Sequence, residues 1–295
     1  TACGDALLFF RMGDFYELFL DDAIVAAKIL GLNLTSRDKD SDNPTAMAGF
    51  PHHQLDSYLQ KLIKAGFRAA VCEQVEDPKT AKGLVKREIT RVVSAGTLTD
   101  DGLLNPNEAN YLAAVCLQHE KRGGKSNGEP KVGIAWAELS SGRFEAGTFS
   151  QSRIEDELER IGPAEVIYRE DDIHFSPDTT SPWSWTPRPA WSFAEDAATD
   201  ALCKQLSVHN LEGFGFEATD VPAIRAAGAV LTYLQETQRG ELDHFRSLTS
   251  HRRSGFLQID AATRRSLEIT RTLRSGSREG SLLGVIDLPC TPMGS

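Results

Sequence analysis

LLFFRMGDFYELFLDD, Leu7–Asp22, holds two strand patterns either side of a turn. Leu7–Phe10 is an apolar run too short for a helix, which predicts a buried strand. Gly13 and Asp14 supply turn chemistry. From Phe15 to Phe19 the residues alternate, with Phe15, Glu17 and Phe19 on one face and Tyr16 and Leu18 on the other. A two-residue rise then sets Phe15 and Glu17 roughly 7 Å apart. Two readings follow. The pattern suits an edge strand with one charged residue facing water. It also suits an apolar wedge that enters a base stack, with an adjacent carboxylate to meet a base edge.

Outward from this stretch, Asp21 or Asp22 is placed to cap a helix that stops at Gly31. Leu32–Thr35 reads as a short strand, and Ser36–Thr45 as a polar, turn-rich loop. Pro51–Gly66 is the clearest helix, with Leu55, Tyr58, Leu59, Leu62 and Ile63 at i, i+3, i+4, i+7 and i+8. Arg68–Gln74 is a strand, followed by a turn at Asp77–Pro78. Lys82, Lys86, Arg87 and Arg91, opposed only by Glu88, form either a solvated charged strand or a contact with a phosphate backbone. This order predicts an α+β unit that ends near Asn105–Asn107.

A second, α/β unit follows. Tyr111–Leu117, Lys131–Leu139 and Arg143–Phe149 read as strands, the last two as a hairpin. A helix carrying Ile154, Leu158 and Ile161 leads to a strand at Glu165–Arg169. Phe175–Ser192, with four prolines and three tryptophans, reads as a long surface loop folded onto this unit. Helices are predicted at Asp196–Leu206 and Val221–Thr237, and an Arg-rich helical segment after Leu242.

At 295 residues, with 40% hydrophobic and 25% charged residues, the composition is that of an ordinary globular protein. No apolar run reaches the roughly 20 residues of a membrane span. Without an initiator Met or a signal peptide, the chain reads as cut at both ends. Five cysteines lie far apart, which fits a reducing compartment and neither a metal site nor a disulfide framework. The net charge of −10 is unevenly spread: −3 over residues 1–105, −9 over 106–235 and +2 over 236–295. The acidic middle is therefore not expected to touch phosphate.

Two motifs carry less than they promise. GGKS (Gly123–Ser126) mimics the end of a phosphate-binding loop, but His119 stands where the motif needs its first Gly. His52 and His53 have no third ligand at helical spacing.

RMGDFYELF followed by DDA resembles the opening of the mismatch-binding domain of the MutS family of DNA mismatch-repair proteins. MAGFPHHQLDSYLQKLIKAG (Met47–Gly66), VCEQVEDP (Val71–Pro78), RVVSAGT (Arg91–Thr97), DAATRRSLEIT (Asp260–Thr270) and the terminal TPMGS match family blocks in the expected order. The resemblance implies a mixed-sheet mismatch-binding domain over residues 1–106, a ribonuclease H-like connector over 107–238, and the beginning of an all-α core and lever domain over 239–295. Its Phe-x-Glu mismatch reader falls on Phe15 and Glu17, and Met12, Arg37, Met47, Lys82, Arg87 and Arg91 are further DNA-contact candidates.

The implied partners are duplex DNA with mispairs or small insertion/deletion loops, a second copy of the intact protein, and a MutL-type protein at the connector, in a cytoplasmic, nucleoid-associated setting. ATP and Mg²⁺ belong to a C-terminal P-loop domain beyond residue 295, so neither cofactor nor catalysis is expected within this chain. Glu17 would accept from a base donor, or take up a proton where desolvation and nearby phosphates favour the neutral acid. Two rivals remain: a relative acting on branched or recombination DNA, which would lack the wedge pair, and a ribonuclease H-like nuclease. For the latter, Glu138 and Glu145 make no convincing metal set.

Overall fold

The computed structural model describes residues 6–36, 44–76, 85–99, 104, 109–118, 129–172, 181–239, 242–252 and 259–288. Two six-stranded sheets organise them.

The first sheet contains β1 (Leu7–Met12), β2 (Phe15–Phe19), β3 (Thr35–Ser36), β4 (Ala46–Pro51), β5 (Ala69–Gln74) and β6 (Arg87–Val93), in the order β3-β4-β2-β1-β5-β6. β1 and β2 form the predicted hairpin, and Gly13 takes the left-handed φ of +59° that the turn requires. α1 (Leu20–Leu30) and α2 (Leu55–Lys64) cover one face. Leu7, Phe9, Tyr16 and Leu18 alternate onto that face and pack with Ala23, Ala26, Leu59 and Leu62. Each large side chain so buried contributes about 2–3 kcal/mol.

Three local expectations change. Neither Asp21 nor Asp22 caps α1, which begins earlier at Leu20 without a side-chain cap. The Asp22 carboxylate instead accepts the Leu8 amide at 2.9 Å, tying the helix start to β1. The strand expected at Leu32–Thr35 is only Thr35–Ser36. The helix expected from Pro51 starts later, because 46–51 pair with β2 as strand β4 and 52–54 form a single 3₁₀ turn. Gly31 and Gly66 stop their helices as anticipated, both with positive φ. The Asp77–Pro78 turn lies outside the described residues.

The second sheet contains β7 (Tyr111–Leu117), β8 (Lys131–Glu138), β9 (Arg143–Ser150), β10 (Glu165–Arg169), β11 (Ser184–Arg188) and β12 (Thr249–Ser250), in the order β11-β10-β7-β8-β9-β12. β7, β8 and β9 run antiparallel, whereas β10 runs parallel to β7 and β11 to β10. The first five strands thus follow the 3-2-1-4-5 order of a ribonuclease H-like sheet.

Helices cover both faces, so β7 and β8 are buried almost throughout. Val132, Ile134 and Trp136 face α3 (Ile154–Ile161). On the other face α4 (Glu195–Leu206) and α5 (Val221–Gln238) pack over Ala135 and Ala137. β8 presents only small residues there, which lets α5 approach closely. Burial pushes the Cys116 thiol in β7 up to about 11, so it behaves as a small core residue.

Within the tryptophan-rich segment, residues 175–180 lie outside the described residues, and 184–192 form regular structure rather than a surface loop. Ser184–Arg188 is edge strand β11, where Pro187 interrupts no interior ladder, and Trp185 meets Tyr168 edge-on at 5.7 Å. Leu242, Phe245 and Leu248 lie in the α5-side core and β12 pairs with β9, so packing of the second unit continues past residue 238. Two short helices follow, α6 (Ala261–Ser266) and α7 (Leu282–Ile286), capped by Asp260 and Ser281. Arg265 binds Glu159 of α3 through two hydrogen bonds of 2.8 and 2.9 Å. Among the described residues, no helix is long and apolar enough to cross a membrane.

Candidate nucleic-acid interface

Helices α1 and α2 cover one face of the first sheet, and the opposite face carries the singled-out pair. Phe15 is 48% exposed there. Tyr16 and Leu18 on either side of Glu17 are buried at 1% and 0%, so alternation alone lifts Phe15, Glu17 and Phe19 outward. Cross-strand register sets Met12 opposite Phe15, Phe10 opposite Glu17 and Met47 opposite Phe19. Gly49 lies opposite Glu17, and a Cβ there would stand 3.0 Å from the Tyr16 carbonyl and 3.6 Å from Glu17 Cγ. Around Glu17 the face is therefore lined by the apolar Phe10, Met12, Phe15, Phe19 and Met47. Among the described residues the Glu17 side chain makes no hydrogen bond or ion pair.

The hairpin is braced from behind and beside. Tyr16 donates its hydroxyl to Glu73 through the sheet's helix side. Burial first, and then this bond, hold that hydroxyl far above its usual pKa, so it remains a donor. At the turn, the Asp14 carbonyl accepts the His52 amide at 2.8 Å and lies 3.1 Å from His52 Nδ1. His52 thus serves the turn, and the His52–His53 pair stands edge-on at 5.9 Å.

The further candidates separate. Met12 and Met47 share the face of Phe15. Arg87 lies at the same face but works inside the protein: its Nε donates to the Arg11 carbonyl at 2.7 Å and its Nη1 to the Val85 carbonyl at 2.9 Å. Arg91 pairs with Val71, a residue of the helix-side core, and so projects to the opposite face. A register shift at Val71/Cys72 causes this, since it offsets β6 against a simple two-residue alternation. Arg37 and Lys82 lie outside the described residues. Phe10, Gly49 and Pro51 were not singled out by sequence; the β4 alternation that places the latter two was masked by the helical pattern that follows it.

Among the described residues, no group of three or more His, Cys, Asp or Glu could hold a metal ion. Glu145 is engaged by Arg143 Nε at 2.5 Å and stands 3.5 Å from His251 Nδ1, and Glu138 accepts from Ser141 at 2.6 Å.

A mixed sheet with an exposed aromatic on one face, joined to a ribonuclease H-like sheet, defines a two-domain α/β protein. Residues 2–102 match the family model of MutS domain I, and residues 110–246 match that of MutS domain II. The DNA mismatch repair protein MutS of Rhodopirellula baltica is 74% identical over 304 residues, covering 100% of this chain and 34% of the relative. The chain belongs to the MutS family. It spans about a third of the length of that relative.

Proposed function

We propose that this chain forms the mismatch-reading part of a DNA mismatch-repair protein, with Phe15 inserted at a mispair from the minor groove and Glu17 accepting from a base. The observation that carries this reading is the exposed Phe15 next to Glu17, a carboxylate without a partner among the described residues, on the face opposite α1 and α2. Insertion of an apolar wedge unstacks a base step at a cost of a few kcal/mol, less where pairing is already defective. Selectivity then arises from deformability as well as contact, because a mispaired step kinks more readily.

In the intact protein two subunits enclose the duplex, and the acidic connector meets a MutL-type partner rather than phosphate. ATP and Mg²⁺ are handled by a part of that protein beyond residues 1–295. Met12 and Met47 extend the apolar face, and Arg37 and Lys82 contact the backbone.

Competition binding of the intact protein to a G·T duplex, a matched duplex and a four-way junction tests the reading at two salt concentrations. The G·T duplex is expected to bind several-fold more tightly than the matched one at both. Equal binding to G·T and matched duplex, or a preference for the junction, would overturn it in favour of the branched-DNA relative.

A further inference from the structure

The two sheets meet around one buried carboxylate. Glu165, the first residue of β10, is 1% exposed. Its Oε2 accepts from the Ser94 hydroxyl and from the Gly96 amide at 2.9 Å, both on the turn that leaves β6. Its Oε1 accepts from Thr186 of β11 at 2.7 Å and from Tyr233 of α5 at 2.9 Å. Arg68, at the start of β5, donates to the same Tyr233 hydroxyl at 3.3 Å. Two donors thus come from the first unit and two from the second.

Sterics enforce the same approach. A Cβ on Gly96 would stand 2.9 Å from Glu165 Cβ and 3.0 Å from Leu112 Cβ, so the turn can seat only as glycine. Around this centre, Asn110 donates to the Ala95 carbonyl at 2.9 Å and Arg239 to the Ile89 carbonyl at 2.9 Å. Burial, and next the charge of Glu165, hold the Tyr233 hydroxyl far above its usual pKa, which keeps it a donor. An ionised carboxylate withdrawn from water is tolerated only when its lone pairs are filled. Here they are filled only when both units are docked.

We propose that Glu165 is a positioning residue that latches the wedge-bearing unit to the connector, so that load applied at Phe15 passes through β6 into β10 and α5. The latch stands apart from the DNA reading; its consequence for signalling rests on that reading.

Hydrogen exchange on the intact protein tests both parts. Without DNA, Glu165→Gln turns an amide donor toward donors, and exchange over residues 94–97 is expected to rise by roughly tenfold with β1 and β8 unchanged. Thr186→Val, which removes one donor and leaves three, gives a smaller rise at the same place and serves if Glu165→Gln does not fold. Parental exchange at 94–97 in the folded variants, or an equal rise throughout β1 and β8, overturns the latch.

With a G·T duplex bound, the parent is expected to show protection over residues 7–19 and altered exchange over 109–118. Glu165→Gln should keep the first and lose the second, and a connector response that persists in this variant overturns the coupling. Absence of protection over 7–19 in the parent overturns the mismatch-reading assignment, while the DNA-free comparison still decides the latch.

Discussion

The guanidinium of Arg87 lies 5.2 Å over the ring of Phe10 on the sheet face that also carries Phe15. With Nε and Nη1 donating to the carbonyls of Arg11 and Val85, this arginine holds β6 against the hairpin. Two of its donor nitrogens are thus engaged within the protein. Arg87→Met should therefore cost roughly 1–2 kcal/mol in urea unfolding, while the salt slope of DNA binding stays as it was. A phosphate contact would instead lower that slope by about one.

In the proposed reading, Glu17 has a narrower task than Phe15. Glu17→Gln keeps an acceptor oxygen and removes the charge that phosphates repel. We expect it to reduce mismatch preference less than Phe15→Ala does, measured as the ratio of G·T to matched affinity. Equal losses would show that the carboxylate itself is the essential group.

Gly133 shows how closely α5 sits on β8. A Cβ there would meet the Pro222 carbonyl oxygen at 1.9 Å and the Ala223 nitrogen at 2.5 Å. Both are backbone atoms that no rotamer change can move. Gly133→Ala should destabilise the connector by at least about 2 kcal/mol, seen as a lower thermal midpoint. A midpoint within a degree of the parent would contradict this packing.

His251 packs edge-on to Trp136 at 5.3 Å. Burial first, and then Arg160, lower its pKa below the ordinary 6.5, against the opposing pull of Glu145. The folded state thus resists protonation that the unfolded chain accepts. Its contribution is complete above about pH 6.5 and is lost as the pH falls through the depressed folded value. Urea midpoints followed by tryptophan fluorescence should decline over that window, and His251→Gln should flatten the decline. An unchanged pH profile in the variant would refute the assignment.

Much of this architecture was legible because burial imposes simple periods. The alternation in Phe15–Phe19 and in Val132, Ile134 and Trp136, and the 3.6-residue pattern in 55–63, each marked a face correctly. What escaped was set by tertiary partners. The Asp22 carboxylate caps a strand amide instead of its own helix, a choice made by β1 and not by local sequence. β11 contains a proline and three residues of weak pattern, and becomes a strand because β10 offers an edge. Arg87 and Arg91, four residues apart in one strand, project to opposite faces through a bulge that composition does not announce. Glu165 read as the first residue of a strand, and its four donors come from three distant segments.

The most direct measurement is equilibrium binding of the intact protein and its Phe15→Ala variant to a G·T duplex and its matched control at two salt concentrations. The account predicts that Phe15→Ala abolishes most of the mismatch preference and leaves matched-duplex affinity and salt slope nearly unchanged, since an exposed ring contributes little to the fold. Preference that survives the substitution would contradict the wedge and leave Phe15 as a surface residue of an interior hairpin of the sheet.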